Sequence, residues 1–138
     1  MIAINYLTNY LDYLSFKQLF GLLVISLFLH IFNDYFLQGV LAQLKCKDFW
    51  EKRGQKYSQD YVVALICHAF SWSFCICLPY LVLTKFNSLL VYLLLLINSI
   101  FHVLVDNEKA NRKTINLKED QCLHFIQVFI TWSIAICI

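Results

Sequence analysis

Four apolar runs, each long enough to cross a lipid bilayer, constrain what this chain can fold into. They cover residues 19–37, 61–78, 86–105 and 122–138, and a transmembrane helix needs about 20 predominantly apolar residues, within a range of about 17–25. The composition agrees, because 60% of the residues are hydrophobic and only 14% are charged, whereas soluble domains have about 25% charged residues. The sequence therefore predicts an all-α membrane bundle of four transmembrane helices, forming a single domain over residues 1–138.

The segment before the first run, MIAINYLTNYLDYLS, lacks the basic stretch and the small-residue cleavage site of a signal peptide. Its three tyrosines, Tyr6, Tyr10 and Tyr13, suit the membrane–water interface, where tyrosine is enriched. We therefore expect this N-terminal segment to be interfacial and the first span to follow it.

Basic residues are unevenly distributed among the three predicted connections. The first connection holds five, namely Lys45, Lys47, Lys52, Arg53 and Lys56. The second holds only Lys85. The third holds four, namely Lys109, Arg112, Lys113 and Lys118. Lysine and arginine favour cytoplasmic loops, so the first and third connections are predicted to be cytoplasmic and both termini to lie outside. The net charge of +2 is too small to indicate a nucleic-acid partner, and the expected partner is the bilayer.

All four histidines of the chain fall in or at the edge of an apolar run, one in each run: His30, His68, His102 and His124. Three of them have an aspartate four residues away, in the pairs His30–Asp34, His102–Asp106 and Asp120–His124. Residues four apart share one face of a helix, and ionisable residues in membrane spans face the interior of the bundle. Counted at about 1.5 Å per residue from the predicted cytoplasmic ends, all four helices bring these groups into the same half of the bilayer.

Imidazole and carboxylate groups at one depth are typical of a metal site in a helix bundle. Asp34, His68, His102, Asp106 and His124 are the predicted core ligands, with His30 and Asp120 completing a second site. Seven ligands would serve one or two ions, and the mixed His/Asp set suits Zn first, with Mn or Fe as alternatives. The site would then belong to a metal-dependent hydrolase, with Asp120 or His30 as general base.

Three further polar residues lie near the predicted cytoplasmic ends of the spans. Gln38, Lys109 and Gln121 are candidates for holding an anionic group, such as the phosphate of a lipid or another phosphate-containing substrate, since lysine binds phosphate as a point charge.

Three other interpretations of the polar residues remain open. The His–Asp pairs can be a hydrogen-bonded network that only fixes helix packing, as in a non-enzymatic factor that binds a host membrane partner. The protein can be an ion or proton carrier, although the outer halves of the runs, such as SLLVYLLLL, are almost purely apolar. Bis-histidine haem is disfavoured because carboxylates lie one turn from the histidines. The sequence has no motif for a homo-oligomer, which remains an open expectation.

Four short motifs follow one another along most of the chain. The first, H-x-x-x-D-[F/Y]-x-x-Q, is matched by His30, Asp34, Tyr35 and Gln38, and the second, H-A, by His68 and Ala69. The third, H-x-x-x-D-x-x-K, is matched by His102, Asp106 and Lys109, and the fourth, D-Q-x-x-H, by Asp120, Gln121 and His124. This order resembles a family of small, uncharacterised integral membrane proteins of bacteria and their phages, which is loosely similar to membrane-bound metal-dependent hydrolases. The resemblance implies a location in the bacterial inner membrane and a bacterial or phage gene. The family's second motif often reads H-A-x-x-H, whereas this chain has Trp72 at the later position, which implies a reduced site if that histidine takes part in the chemistry.

Overall fold

Helices account for all the regular secondary structure in the computed structural model, which describes residues 14–136. Six α-helices follow one another: α1 Phe16–Phe32, α2 Leu41–Leu44, α3 Lys47–Glu51, α4 Asp60–Leu83, α5 Leu89–Asn107 and α6 Leu117–Ile136. Two π-helical segments, Asn33–Leu37 and Glu108–Arg112, extend α1 and α5, and a 3-10 turn, Gln55–Tyr57, precedes α4. The predicted all-α class is confirmed for this range, whereas Tyr6, Tyr10 and Tyr13 of the predicted interfacial segment lie outside the described residues.

Side-chain caps start three of the four long helices where the chain leaves a loop. Before α1, the Ser15 N–H donates to Oε1 of Gln18 at 2.8 Å. Before α5, the Ser88 hydroxyl accepts from the N–H of Val91 at 3.4 Å. Before α6, Asn116 Oδ1 accepts from the N–H groups of two following residues. Each cap satisfies amide groups that the first helical turn leaves without an internal partner.

Helix α4 continues through Pro79 and ends at Leu83, so the predicted end of the second run at residue 78 falls short. Proline removes one helical hydrogen bond, yet membrane helices tolerate it where neighbouring groups compensate. The Ser26 hydroxyl of α1 donates to the carbonyl of Ile76 at 3.0 Å, close to the interruption. Burial of Tyr80 and Leu81 against neighbouring helices also holds the last turn of α4 in place.

The four long helices form a closed ring. Helix α1 packs against α4 and α6, α4 packs against α5, and α5 packs against α6. An apolar core fills the half of the bundle away from the short helices, with Ile76, Leu81, Val91 and Val128 almost fully buried. The polar residues of the predicted stripes therefore lie together at the other end of the same bundle.

Three helical segments are long and apolar enough to cross a membrane: Phe16–Leu37, Gln55–Leu83 and Leu89–Arg112. Their outer faces expose large apolar side chains, among them Phe28, Ile66, Ile97 and Phe101, and a soluble monomer rarely exposes so continuous an apolar surface. The fourth predicted span is not confirmed, because α6 is 20 residues long but carries several polar side chains, including those of Asp120, His124 and Gln127.

The short helices α2 and α3 dock onto the π-helical extension of α5. The side-chain amide of Asn111 accepts from the Lys47 N–H at 2.7 Å and donates to the Lys45 carbonyl at 3.2 Å. An exposed ion pair between Asp48 and Lys113, 2.9 Å long, lies beside this contact. The first connection is thereby held across the polar end of the bundle.

Candidate metal centre

All seven predicted ligands lie on the four long helices and meet at one end of the bundle. Six of them are almost fully buried: His30, His68, His102, Asp106, Asp120 and His124. Asp34 is only slightly more accessible, with 9% of its side chain exposed. The π-helical segments begin at Asn33 and Glu108, next to the carboxylates of Asp34 and Asp106, and π-bulges are frequent at functional sites.

Two groups of three ligand atoms are close enough to hold a metal ion. The first joins Asp34, His68 and His102, the second joins His102, Asp106 and His124, and within each group the atoms lie within 4.8 Å of one another. His102 belongs to both groups. The structure brings together the five residues that the sequence predicted as core ligands, whereas His30 and Asp120 belong to neither group.

The Asp106 carboxylate is at the centre of the cluster. Its Oδ2 atom lies 3.5 Å from Nε2 of His68 and 3.7 Å from Nε2 of His102. Its Oδ1 atom lies 3.4 Å from Nε2 of His124. One carboxylate thus faces imidazoles from three different helices, so a metal ion bound to Asp106 would have histidine ligands within reach.

Several buried atoms at the centre have no hydrogen-bond partner among the described residues. They are Nδ1 and Nε2 of His102, Nε2 of His124, Oδ1 of Asp34, Oδ1 of Asp120 and Nε2 of His30. A buried polar atom without a partner costs about 1–3 kcal/mol, and native structures contain few of them. A metal ion held by either group would engage one nitrogen of His102 together with Asp34 or His124, whereas Nε2 of His124 and Oδ1 of Asp120 also lie 3.3 Å from each other.

A chain of amide side chains orients the imidazole of His124. Its Nδ1 atom lies 3.2 Å from Oε1 of Gln127, and Gln127 Nε2 donates to the carbonyl and to Oδ1 of Asn98. Asn98 Nδ2 in turn donates to the hydroxyl of Thr131 at 2.7 Å. The Gln127 oxygen faces Nδ1, which then carries a proton, and Nε2 faces the carboxylates of Asp106 and Asp120 at 3.4 and 3.3 Å. Positive charge at Nε2, from a second proton or from a metal ion, makes that arrangement favourable.

His30 is held differently. The indole N–H of Trp72 donates to Nδ1 of His30 at 2.8 Å, and an indole can only donate. Nδ1 is therefore unprotonated and already engaged, and the proton of neutral His30 is on Nε2. Trp72 also stacks on His102, with ring centroids 4.3 Å apart, so this tryptophan packs directly against the cluster.

Two lysines neutralise carboxylates of the cluster. Lys109 Nζ lies 2.6 Å from Oδ2 of Asp120, as its predicted place near the site implies. Lys45 Nζ lies 2.6 Å from Oδ2 of Asp106, and only 7% of Lys45 is exposed. Sequence reasoning assigned Lys45 only to a basic loop, since no spacing rule relates a residue of the first connection to a helix 61 positions later.

A pocket of about 320 Å³ leads from the cluster to the end of the bundle. The predicted anion-binding residues Gln38, Lys109 and Gln121 line it, together with Asp34, Lys45 and Asp106. The Gln121 amide donates to Asp34 and to Asp120, at 3.1 Å in each case, and the Gln38 amide lies 3.3 Å from Nε2 of His68. The three residues therefore lie between the cluster and the pocket, where a ligand would meet them.

No protein-family model, curated protein or solved structure matches this chain. The resemblance to small bacterial and phage membrane proteins therefore stays a prediction, and the functional argument rests on the geometry of the cluster.

Proposed function

We propose that this chain is a multi-pass membrane metalloprotein. In this proposal it is a metal-dependent hydrolase, and the buried His/Asp cluster is its active site. The observation that carries the proposal is the convergence of His68, His102, His124, Asp34 and Asp106 from four helices, with buried nitrogen and oxygen atoms that lack hydrogen-bond partners. Hydrogen-bonded packing alone would leave few such atoms.

The charges at the cluster favour one divalent ion over two. Lys45 pairs with Asp106 and Lys109 pairs with Asp120, while Asp34 lies 3.5 Å from Nε2 of His68. With neutral imidazoles, the three carboxylates and two ammonium groups leave one negative charge. One divalent ion turns this into one positive charge, whereas two would leave three, at a steep cost inside a low-dielectric bundle. The proposed occupancy is therefore one Zn, Mn or Fe ion per chain.

The residues around the ion have separate roles in the proposed hydrolysis. A divalent ion at such a site supplies Lewis-acid activation of a water molecule and of a phosphoryl oxygen. Oδ1 of Asp120 is buried and lies 3.3 Å from Nε2 of His124, and in this proposal Asp120 is the base that accepts the proton of that water. The water oxygen would bond to phosphorus as the bond to the leaving oxygen breaks, and that oxygen would take up the proton that Asp120 has accepted. His30, engaged by Trp72, positions the cluster and is not a ligand in this proposal.

The proposed topology has four spans, with α6 as the fourth, in the inner membrane of a bacterium. Leu123, Ile126 and Ile130 are exposed on the outer face of α6, where lipid would cover them, while Asp120 and His124 point into the bundle. The polar end and its basic connections would face the cytoplasm. Phosphate-containing membrane lipids are then the nearest source of substrate.

Elemental analysis of the detergent-purified protein, prepared without chelator, tests the metal. We expect about one Zn, Mn or Fe atom per chain, lost in His102→Ala and Asp34→Asn, and phosphate release from a lipid phosphomonoester that needs the same residues. Protein that contains no metal and takes none up on titration would refute the proposal.

The second candidate is a purely structural network. The pairs Lys45–Asp106 and Lys109–Asp120, each at 2.6 Å, favour it because they neutralise two buried carboxylates without a metal. It predicts that Asp34→Asn changes neither metal content nor folding, which is the opposite of the metalloprotein result.

A further inference from the structure

The ammonium group of Lys45 occupies space that a metal ion bound to Asp106 would need. Its ammonium group lies on Oδ2 of Asp106, the oxygen that His68 and His102 also approach, at 3.5 and 3.7 Å. Lysine is almost never buried unless it is paired, and Asp106 is the only carboxylate described within ion-pair distance of Lys45. The partner that makes burial of Lys45 acceptable is therefore the central ligand of the proposed metal site.

A divalent ion that takes Oδ2 of Asp106 displaces the Lys45 ammonium group from that oxygen. Both are positive, so they repel each other at these separations in a medium of low dielectric constant. The side chain of Lys45 also lines the adjoining pocket, and so do Lys109 and Gln38. Binding of the ion thus leaves Lys45 without its carboxylate, and the nearest space for its ammonium group is the pocket.

The same step changes the charge of the pocket. With one divalent ion, the three carboxylates, the two lysines and the ion together have one excess positive charge. Both lysines, the amides of Gln38 and Gln121, and the carboxylates of Asp34 and Asp106 border about 320 Å³ of space. An anion is the ligand that such a site favours. A phosphate monoester has three terminal oxygens and a charge near −2 at neutral pH, which matches three cationic partners, whereas a phosphodiester offers only two free oxygens.

We propose that this pocket is a metal-dependent phosphate-monoester site, in which Lys45 leaves Asp106 when the ion binds and then pairs with the phosphate together with Lys109. The inference rests on the proposed function and deepens it, because it names the chemical class of the ligand and a residue that recognises it. It also sets an order of binding, with the metal ion first and the phosphate second.

Inorganic phosphate is the probe for the first experiment. Calorimetric titration of the full chain in lipid nanodiscs compares metal-loaded with metal-free protein, and phosphate is expected to bind at least about tenfold more tightly to the loaded form, since charge-assisted hydrogen bonds of this kind have that effect. Equal affinity in both forms overturns the inference while leaving the metal site intact. Failure to take up metal at all overturns the proposed function instead, and metal content is measured on the same samples.

Substitutions of Lys45 distinguish its specific contact with phosphate from the general effect of removing one positive charge from the connection. Lys45→Met should keep the metal and bind phosphate about ten- to a hundredfold more weakly, whereas Lys45→Arg should retain phosphate binding. Lys47→Met is the matched control, because Lys47 lies in the same connection but its side chain is 47% exposed and pairs with Glu51. Retained metal shows that each variant is folded. Unchanged phosphate affinity in metal-loaded Lys45→Met overturns the assignment.

Varying the lipid composition of the nanodiscs distinguishes a lipid phosphate from a soluble phosphate as the ligand. Phosphatidic acid is a lipid monoester and phosphatidylglycerol is a diester of similar shape. Competition with inorganic phosphate by phosphatidic acid alone supports a lipid ligand, and competition by neither supports a soluble monoester. Equal competition by both lipids contradicts the selectivity for monoesters and overturns that part of the inference.

Discussion

The indole N–H of Trp72 donates a 2.8 Å hydrogen bond to Nδ1 of His30, and this contact determines which ring nitrogen of His30 carries its proton. The ring is also packed edge-on against Phe125, with centroids 5.0 Å apart. His30 is thus as deeply buried as the three histidines among the proposed ligands, but its hydrogen bonds differ from theirs. The identity of a buried histidine does not by itself make it a ligand, because its tautomer and its partner decide whether a lone pair is available.

His30→Gln and His102→Gln are therefore expected to differ, although the chemical change is the same. His30→Gln leaves the five ligands untouched and offers Trp72 an amide oxygen, so metal content should stay at about one ion per chain. His102→Gln removes the residue that both ligand groups share, and the metal should be lost. Metal content and affinity of the two purified variants check this. Loss of metal in His30→Gln would show that His30 is a ligand.

Trp72→Phe tests the same contact from the other side. Nδ1 of His30 would then lose its only described donor, and an unsatisfied buried acceptor costs about 1–3 kcal/mol. The stability of the variant should fall by at least this amount, measured as thermal unfolding in detergent, while metal content is preserved. Phe125→Leu, which removes a ring contact but no hydrogen bond, is the matched control for loss of aromatic packing. A Trp72→Phe variant as stable as the native protein would contradict the importance of the bond.

Gln127 is expected to act on the metal through His124. Removing a hydrogen-bond partner that orients a metal-binding histidine typically lowers metal affinity about 10- to 100-fold. Gln127→Leu should show a loss of this size, whereas Gln127→Glu keeps an oxygen for Nδ1 and should restore most of the affinity. Competition titrations with a chromophoric chelator measure both variants.

The control for this experiment lies one hydrogen bond further along the chain of amides. Thr131→Val removes the acceptor for Asn98 Nδ2, which keeps a second bond to the carbonyl of Leu94 at 2.9 Å. Gln127 still reaches Asn98, so the metal affinity should change little. An equal loss in Thr131→Val and Gln127→Leu would attribute the effect to general loosening of the bundle.

The parts of the site that the sequence predicted are those that depend on helical periodicity. The spacing of four in His102–Asp106 and Asp120–His124 puts each pair on one helix face, and the apolar runs show how deep each pair lies. The ring of four helices and the common end for all polar groups follow from these two facts. The convergence of Asp34, His68 and His102 could therefore be anticipated without a structure.

The remaining features depend on contacts between segments that are distant in sequence. Lys45 reaches Asp106 because the short helix α2 folds back over the end of the bundle, and no periodicity in the first connection indicates that. The bond between Trp72 and His30 depends on the relative height of α1 and α4. The π-helical turn at Asn33 brings a further buried side chain into a stripe that a regular helix would place elsewhere.

The attachment of the first connection should weaken in acid. The hydrogen bond from the Lys113 ammonium group lowers the pKa of the Asp48 carboxyl below its ordinary value. A lowered carboxyl pKa means that the pair contributes to docking above the ordinary pKa of aspartate and that this contribution is lost as the pH falls through the lowered value. Both side chains are well exposed, so the effect is small and is screened by salt.

Hydrogen exchange of residues 45–52, corrected for the intrinsic effect of pH, measures that attachment. Protection should fall in acid in the native protein and should be low at every pH in Asn111→Ala, which loses both backbone contacts of the clamp. Asp48→Asn should remove the acid-dependent step only. The same acid step in Asp48→Asn and in the native protein would assign it to another carboxyl group.

The last helix decides whether the chain has three spans or four. Helix α6 presents Ile126, Phe129 and Ile130 to the outside of the bundle, and the free energy of burying such side chains in lipid favours insertion. A single charge at bilayer depth costs at least about 2.5–3.5 kcal/mol, so Ile130→Lys should lower the inserted fraction. Thr114→Lys, in the exposed connection before α6, should not.

Alkaline phosphatase, which is active only after export, reports the side of each fusion point. With four spans, a fusion at the C-terminus and one in the turn after Thr84 should both be active, and a fusion after Gly54 should be inactive, because the proposed topology keeps the basic connections in the cytoplasm. A C-terminal fusion that is inactive as phosphatase but fluorescent as a green fluorescent protein fusion would leave the chain with three spans. Helix α6 would then lie against the membrane surface, and its fully buried Asp120 and His124 would have to reach the other ligands from there. The distance of 3.4 Å from Nε2 of His124 to Oδ1 of Asp106, which joins α6 to α5, favours the spanning arrangement.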